Sequence, residues 1–87
     1  MALSFPNPSR RYDPIRRQVC FWAYESAMEV PFFLDENVLF RLDPNTKNVE
    51  EAMLATFDAW HARIHEVAER VHSFRKRRFH VLMARDF

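Results

Sequence analysis

Residues 18–34 read QVCFWAYESAMEVPFFL, and the order of structure in the chain turns on how this stretch divides. Two runs rich in aromatic and β-branched residues, Gln18 to Tyr24 and Met28 to Leu34, flank the short break Glu25, Ser26, Ala27. Such residues suit a pleated, half-buried surface, so the stretch predicts a β-hairpin. The chain contains no glycine. That removes the usual Asn-Gly turn and predicts a three- or four-residue loop around a type I turn. Pro31 lacks a ladder donor and places the second strand at a sheet edge or a bulge. Alternation sets Val19, Phe21 and Ala23 on one face and Cys20, Trp22 and Tyr24 on the other. In the second strand it separates Met28, Val30, Phe32 and Leu34 from Glu29, Pro31 and Phe33.

Downstream, Asp35 suits the N-cap of a short helix over Glu36 to Leu42, and Asp43-Pro44 ends it because a residue before proline avoids helical geometry. Asn48 with Glu51 resembles a capping box. From there Val49, Met53, Phe57, Trp60, Ile64, Val67, Val71 and Phe74 recur at spacings of three and four, which predicts one long helix over 49–75. Such a helix spans about 40 Å, long enough for a bend or an overhang. Arg75, Lys76, Arg77 and Arg78 close it with the sign of charge that a helix C-terminus favours. Phe79 to Ala84 reads as a final strand with Phe79, Val81 and Met83 toward the helices. Upstream, Phe5 to Pro14 reads as irregular, although Leu3 to Phe5 could add a short strand. The expectation is a single α+β domain over 1–87, with 1–14 an irregular N-terminal arm. Its order is β-β-α-α-β, a small antiparallel sheet of hairpin plus C-terminal strand packed on one short and one long helix.

Composition narrows the class. Hydrophobic residues make up 48% and charged residues 29%, and no run approaches the ~20 apolar residues of a membrane span. Pro6, Pro8, Arg10 and Arg11 stand where a secretory signal needs an unbroken apolar stretch, so the expected location is cytoplasmic, without membrane association. The lone Cys20 permits no internal disulfide and reads as an inert packed thiol. The net charge of +1 is unevenly spread, with basic ends flanking an acidic centre. Arg10, Arg11, Arg16 and Arg17, with Arg75, Lys76, Arg77 and Arg78, would form one positive patch if the termini met in space.

Ser4-Phe5-Pro6, the Tyr12-Asp13 pair, Val19-Cys20-Phe21-Trp22 and the Phe57, Ile64, Ala68 positions carry a resemblance along nearly the whole chain. It is to a family of short bacterial proteins, domain of unknown function fourteen eighty-eight. The resemblance implies a compact fold of β-hairpin, helices and last strand. It implies no activity, and no catalytic or ligand-binding residues come with it.

Several groups of residues are candidates for function. Trp22, Tyr24, Phe33 and Leu82 fall on the sheet face away from the helices, where an apolar patch needs cover. Leu3 and Phe5 folding over it, a dimer partner, or stacked nucleobases would each supply that cover. The RKRR run at 75–78 suits phosphate contacts or a solvated helix end. His61, His65 and His72 lie within about 40° of one another on a helix wheel. An i, i+4 histidine pair can hold a metal, but residues 61–65 read His-Ala-Arg-Ile-His rather than HExxH, and a catalytic zinc needs a third ligand. No metal or other cofactor is therefore expected. Ala52, Ala55, Ala59 and Ala62 form a small-residue stripe that helix propensity or helix pairing would explain. Without glycine there is no phosphate loop and no GxSxG elbow. The sequence reads as a non-enzyme: a protein-interaction or regulatory module acting on a protein partner or on itself as a homodimer, with nucleic-acid binding through the arginines as the alternative.

Overall fold

The structure, a computed structural model, describes residues 3–6 and 9–87. Its elements are β1 (Arg10–Asp13), β2 (Gln18–Glu25), β3 (Met28–Asp35), α1 (Glu36–Leu42), α2 (Glu50–Ala59), α3 (His61–Phe74), β4 (His80–Leu82) and a closing 3-10 turn, Ala84–Asp86. The chain is α+β as expected, but three strands precede the helices, and the four-stranded sheet, ordered β1-β2-β3-β4, is mixed. β1 and β2 pair antiparallel, as do β2 and β3, whereas β4 runs parallel to β3. The parallel pairing corrects the expected antiparallel sheet. Its cause is topological: all three helices intervene between β3 and β4, and such a crossover returns the chain in its original direction.

β1 also corrects the reading of 1–14 as irregular. Tyr12 points inward and is buried, and Asp13 Oδ1 accepts from the amides of Ile15 and Arg16 at 3.0 and 3.2 Å, which folds the chain back into β2. Tyr12 donates to Glu36 Oε1 at 2.8 Å, and Arg17 Nε to Glu36 Oε2 at 2.7 Å. The β1–β2 turn is thereby fastened to the start of α1. Burial, and then the Glu36 carboxylate, push the Tyr12 phenol up. Leu3 to Phe5 does supply a bridge, Ser4 opposite Tyr24, with both backbone hydrogen bonds at 2.8 Å.

The β2–β3 loop is shorter than expected. Glu25 pairs with Met28, which leaves only Ser26 and Ala27 between the strands. Ser26 takes φ 57°, the conformation for which hairpins usually select glycine. Ser26→Gly is therefore expected to add roughly 0.5–1 kcal/mol of stability, seen as a melting temperature higher by about 2–6 °C. A lower melting temperature would show that the serine side chain holds the turn. Pro31 sits opposite Trp22, one residue before β4 begins to pair at Phe32. β3 is thus an edge at its proline and interior beyond it, so the missing donor costs no ladder bond to β4.

α1 begins and ends as read, with Asp35 Oδ2 accepting from the Asn37 amide at 3.2 Å. The single long helix does not form. It breaks at Trp60, which has φ −108° and ψ 15°, and the His61 ring reaches back to the Asp58 carbonyl at 2.8 Å. A side chain inserted in the helical ladder is a recognised cause of a kink. Here the kink lets α2 pack beside β1 and α3 reach β4. Nor does Asn48 cap α2, whose N-cap is Val49 without a side-chain bond. Asn48 accepts from Arg17 instead, at 3.1 Å.

The helices cover one face of the sheet, and the core lies between. Inward residues form rows across the strands: Tyr12, Val19, Leu34 and Leu82 in one, and Phe21, Phe32 and His80 in another. Val38, Leu39, Met53, Phe57, Ile64 and Val67 close over them. β4 presents the opposite parity from that expected. His80 and Leu82 are buried, while Phe79 and Val81 are 54% and 48% exposed.

Candidate functional site

The outer sheet face has no covering layer among the described residues. Trp22, Tyr24 and Phe33 lie on it half-buried. Phe33 makes an edge contact with Phe79, ring centroids 5.9 Å apart, and pairs across the sheet with Cys20 and Val81. The strip therefore runs from β2 across β3 to the β4 edge. Leu82 does not belong to it, being fully buried on the inner face. Leu3 and Phe5 do not cover it either. The Ser4–Tyr24 pairing directs its neighbours inward, so Leu3 joins the core and the Phe5 ring stacks on His65 at 3.8 Å. Cys20 is buried by its neighbours on this face.

The basic residues do not form one patch. Arg16 and Arg17 sit at the β1–β2 turn, while Lys76 reaches Glu25 beside the β2–β3 turn, at the other end of the sheet. Three of the eight are engaged with carboxylates. Arg10 makes a two-pronged pair with Asp58, both contacts at 2.8 Å, which holds the aspartate below its usual range and raises the guanidinium. Arg17 is tied to Glu36, and Lys76 lies 3.3 Å from Glu25. Arg11, Arg16, Arg75, Arg77 and Arg78 are exposed and make no ion pair among the described residues.

The three histidines also separate. His61 and His65 stay adjacent, ring centroids 5.6 Å apart, beside a pocket of about 470 Å³ that also touches Arg10, Phe21, Trp22 and Phe57. The pocket opens where the arm leaves β2. Ser4 pairs with Tyr24 at one side of it and Arg10 with Phe21 at the other. Burial, and then neighbouring His61, hold the His65 imidazole below its usual value. His72 turns to the other end of the fold. Its Nδ1 lies 2.8 Å from His80 Nε2, and its Nε2 lies 3.1 Å from Glu25 Oε1. Among the described residues no group of three histidine, cysteine or carboxylate side chains is arranged to hold a metal ion.

The His72–His80–Glu25 chain has one consistent pattern with neutral rings and an ionised carboxylate. Glu25 only accepts, so His72 Nε2 donates to it, and His72 Nδ1 is left to accept from His80 Nε2. The bond to His72, and then Lys76, hold Glu25 below the usual carboxylate range. His80 is held below the usual histidine value by burial and then by His72, Arg77 and Arg75.

The family model described as Protein of unknown function (DUF1488) matches residues 3–82. The chain belongs to this family. No curated protein and no solved structure gives a match. In this DUF1488 chain no helix among the described residues is long and apolar enough to cross a membrane. Two residues important to its geometry escape a reading of the sequence. His80 follows an arginine run and gives no sign that it pairs with His72. Arg85 stands alone in sequence, yet it lines one hollow with Arg75 and Arg77. The signal available for His80 was strand parity, since Phe79 and Val81 fall outward once it is inward.

Proposed function

We propose that this chain is a non-catalytic protein-interaction module that pairs with a second copy of itself through the outer sheet face. One observation carries the reading: all three helices cover one side of the sheet, and the Trp22, Tyr24, Phe33, Phe79 strip on the other has no cover among the described residues. Strands of four, eight, eight and three residues, about 4.8 Å apart and rising about 3.3 Å per residue, give a face of about 360 Å². Two copies would bury about 700 Å² from the strands alone, below the size of stable specific interfaces, so the dimer is a weak one. The rim suits a like partner. It offers Arg11 beside Asp13, Glu29 and Asp35, both signs of charge that a two-fold axis can match reciprocally. Nucleic-acid binding, the alternative, loses support because Arg10, Arg17 and Lys76 are engaged with carboxylates and Arg16, at the β1–β2 turn, lies apart from Arg75 and Arg77.

Sedimentation at about 100 μM should give a mass approaching twice the 10.5 kDa of the chain, falling toward one chain near 1 μM. Phe33→Glu places a carboxylate in the middle of the strip and should leave a folded monomer at both concentrations. A wild-type protein that is monomeric throughout would overturn the pairing.

A further inference from the structure

The edge of the sheet beyond β4 gathers more positive charge than the carboxylate beside it balances. Two adjoining hollows, of about 460 and 300 Å³, share Val71, Arg75, Arg85 and Asp86 and together form a groove between the end of α3, β4 and the closing turn. Arg70 joins it at one end and Arg77 at the other. Four guanidiniums thus face one carboxylate. Asp86 is itself occupied, its Oδ2 accepting from the Met83 amide at 2.8 Å and its backbone carbonyl from Arg70. Arg75, Arg77 and Arg85 make no ion pair among the described residues. Phe79 and Val81 border the groove and are about half exposed. The strand itself is open on this side: β4 is last in the sheet order and pairs with β3 alone.

We propose that this groove binds an extended acidic peptide segment, which lies along the free edge of β4 and sets its carboxylates against Arg75, Arg77 and Arg85. A peptide added to a sheet edge gains main-chain hydrogen bonds, and its alternate side chains find the flanking surfaces. On one side those surfaces are Val81 and Phe79, and on the other the guanidiniums, whose planar forks match carboxylates. The segment recognised therefore alternates acidic and apolar residues. Three residues of β4 limit the added ladder, so recognition depends on the arginines more than on the backbone. The crowding of like charge is visible within the fold as well, since Arg77 and Arg75 help hold His80 below its usual value. Nucleic acid fits the charge but not the edge, because phosphates accept from a strand's amides but have no donor for its alternating carbonyls.

The site borders the face assigned to self-pairing but does not depend on it, so the test uses both the wild-type chain and the Phe33→Glu monomer. Random peptides of about twelve residues are selected on each, and a winning sequence is synthesised for anisotropy measurements. The expected winners alternate Asp or Glu with apolar residues on both proteins. Arg77→Glu and Arg85→Glu should each weaken the synthetic peptide about tenfold or more. Enrichment without acidic residues, or no enrichment at all, would overturn the proposal and leave the arginines as guards against edge-to-edge association. Tighter binding of a single-stranded RNA of about twelve nucleotides, lost in the same two variants, would also overturn it and assign the groove to nucleic acid.

Discussion

Phe21→Ala is expected to cost about 3–5 kcal/mol of folding stability, the range for removing a buried aromatic ring without collapse of its site. Phe21 is 2% exposed and stands at the meeting of three packing directions. Its ring lies 5.2 Å from Phe32 along the sheet, 5.2 Å from Phe57 on α2 and 5.8 Å from His65 on α3. No neighbour can move to fill the space without leaving another, because Phe57 and His65 lie on either side of the Trp60 kink. A domain of 87 residues commands only about 4–13 kcal/mol in total, so the variant should be largely unfolded or have its urea midpoint roughly halved. Phe21→Leu, which keeps most of the volume, should lose about 1–2 kcal/mol and supply a folded comparison. An alanine variant within about 1 kcal/mol of wild type would show that the three-way cluster is not the centre of the core.

The second large effect is acid sensitivity at the other end of the fold. His80 is held below the ordinary histidine value of 6.5, foremost by burial. Below that pH the unfolded chain takes up a proton that the folded ring refuses, so stability falls as pH drops from about 6.5 toward the folded value. His65, also held low by burial, acts in the same direction. Glu25 extends the loss further. Its carboxylate is held below 4.5 chiefly by His72, and that contribution, full above 4.5, disappears as pH falls through the folded value. Urea midpoints at pH 7.5 and 5.5 should differ, with the lower midpoint at 5.5 and the same slope. His80→Leu should lose about 1–3 kcal/mol at pH 7.5, because His72 Nδ1 is left buried without its partner. It should also show a smaller difference between the two pH values. Equal midpoints for the wild-type chain at both pH values would remove the titration from the account.

Much of the framework was legible in the sequence for local reasons. The hairpin, α1 with its Asp35 cap and the inward set Val19, Phe21, Phe32 and Leu34 follow from period and capping chemistry, which act between residues a few positions apart. The misreadings concern distance in sequence. Asp13-Pro14 is a turn signal, but Arg10–Asp13 becomes a strand because Tyr12 finds Glu36. Residues 49–75 carry a helical period throughout, and only the need to follow the sheet, with His61 reaching the Asp58 carbonyl, breaks them at Trp60. The parity of the last strand was ambiguous in sequence because both of its faces are apolar, and burial of His80 became favourable only through His72 and Phe32. Leu82 left the candidate surface for the same reason. On the outer face, Trp22, Tyr24 and Phe33 were found from alternation alone, whereas Arg85 needed the folded chain to bring it to Arg75 and Arg77.

The parallel pairing of β3 with β4 also orders events in time. β1, β2 and β3 meet through turns of four and two residues, so their contacts close over short loops. β4 reaches β3 only after residues 36–79 have been gathered into three helices, a closure whose entropy must be met before any ladder bond repays it. The meander and its covering helices are thus expected to form first and the last strand last. With that strand come Leu82, the His80–His72 bond and the basic groove together. A nascent chain is therefore expected to close most of its core before it completes the sheet edge at β4.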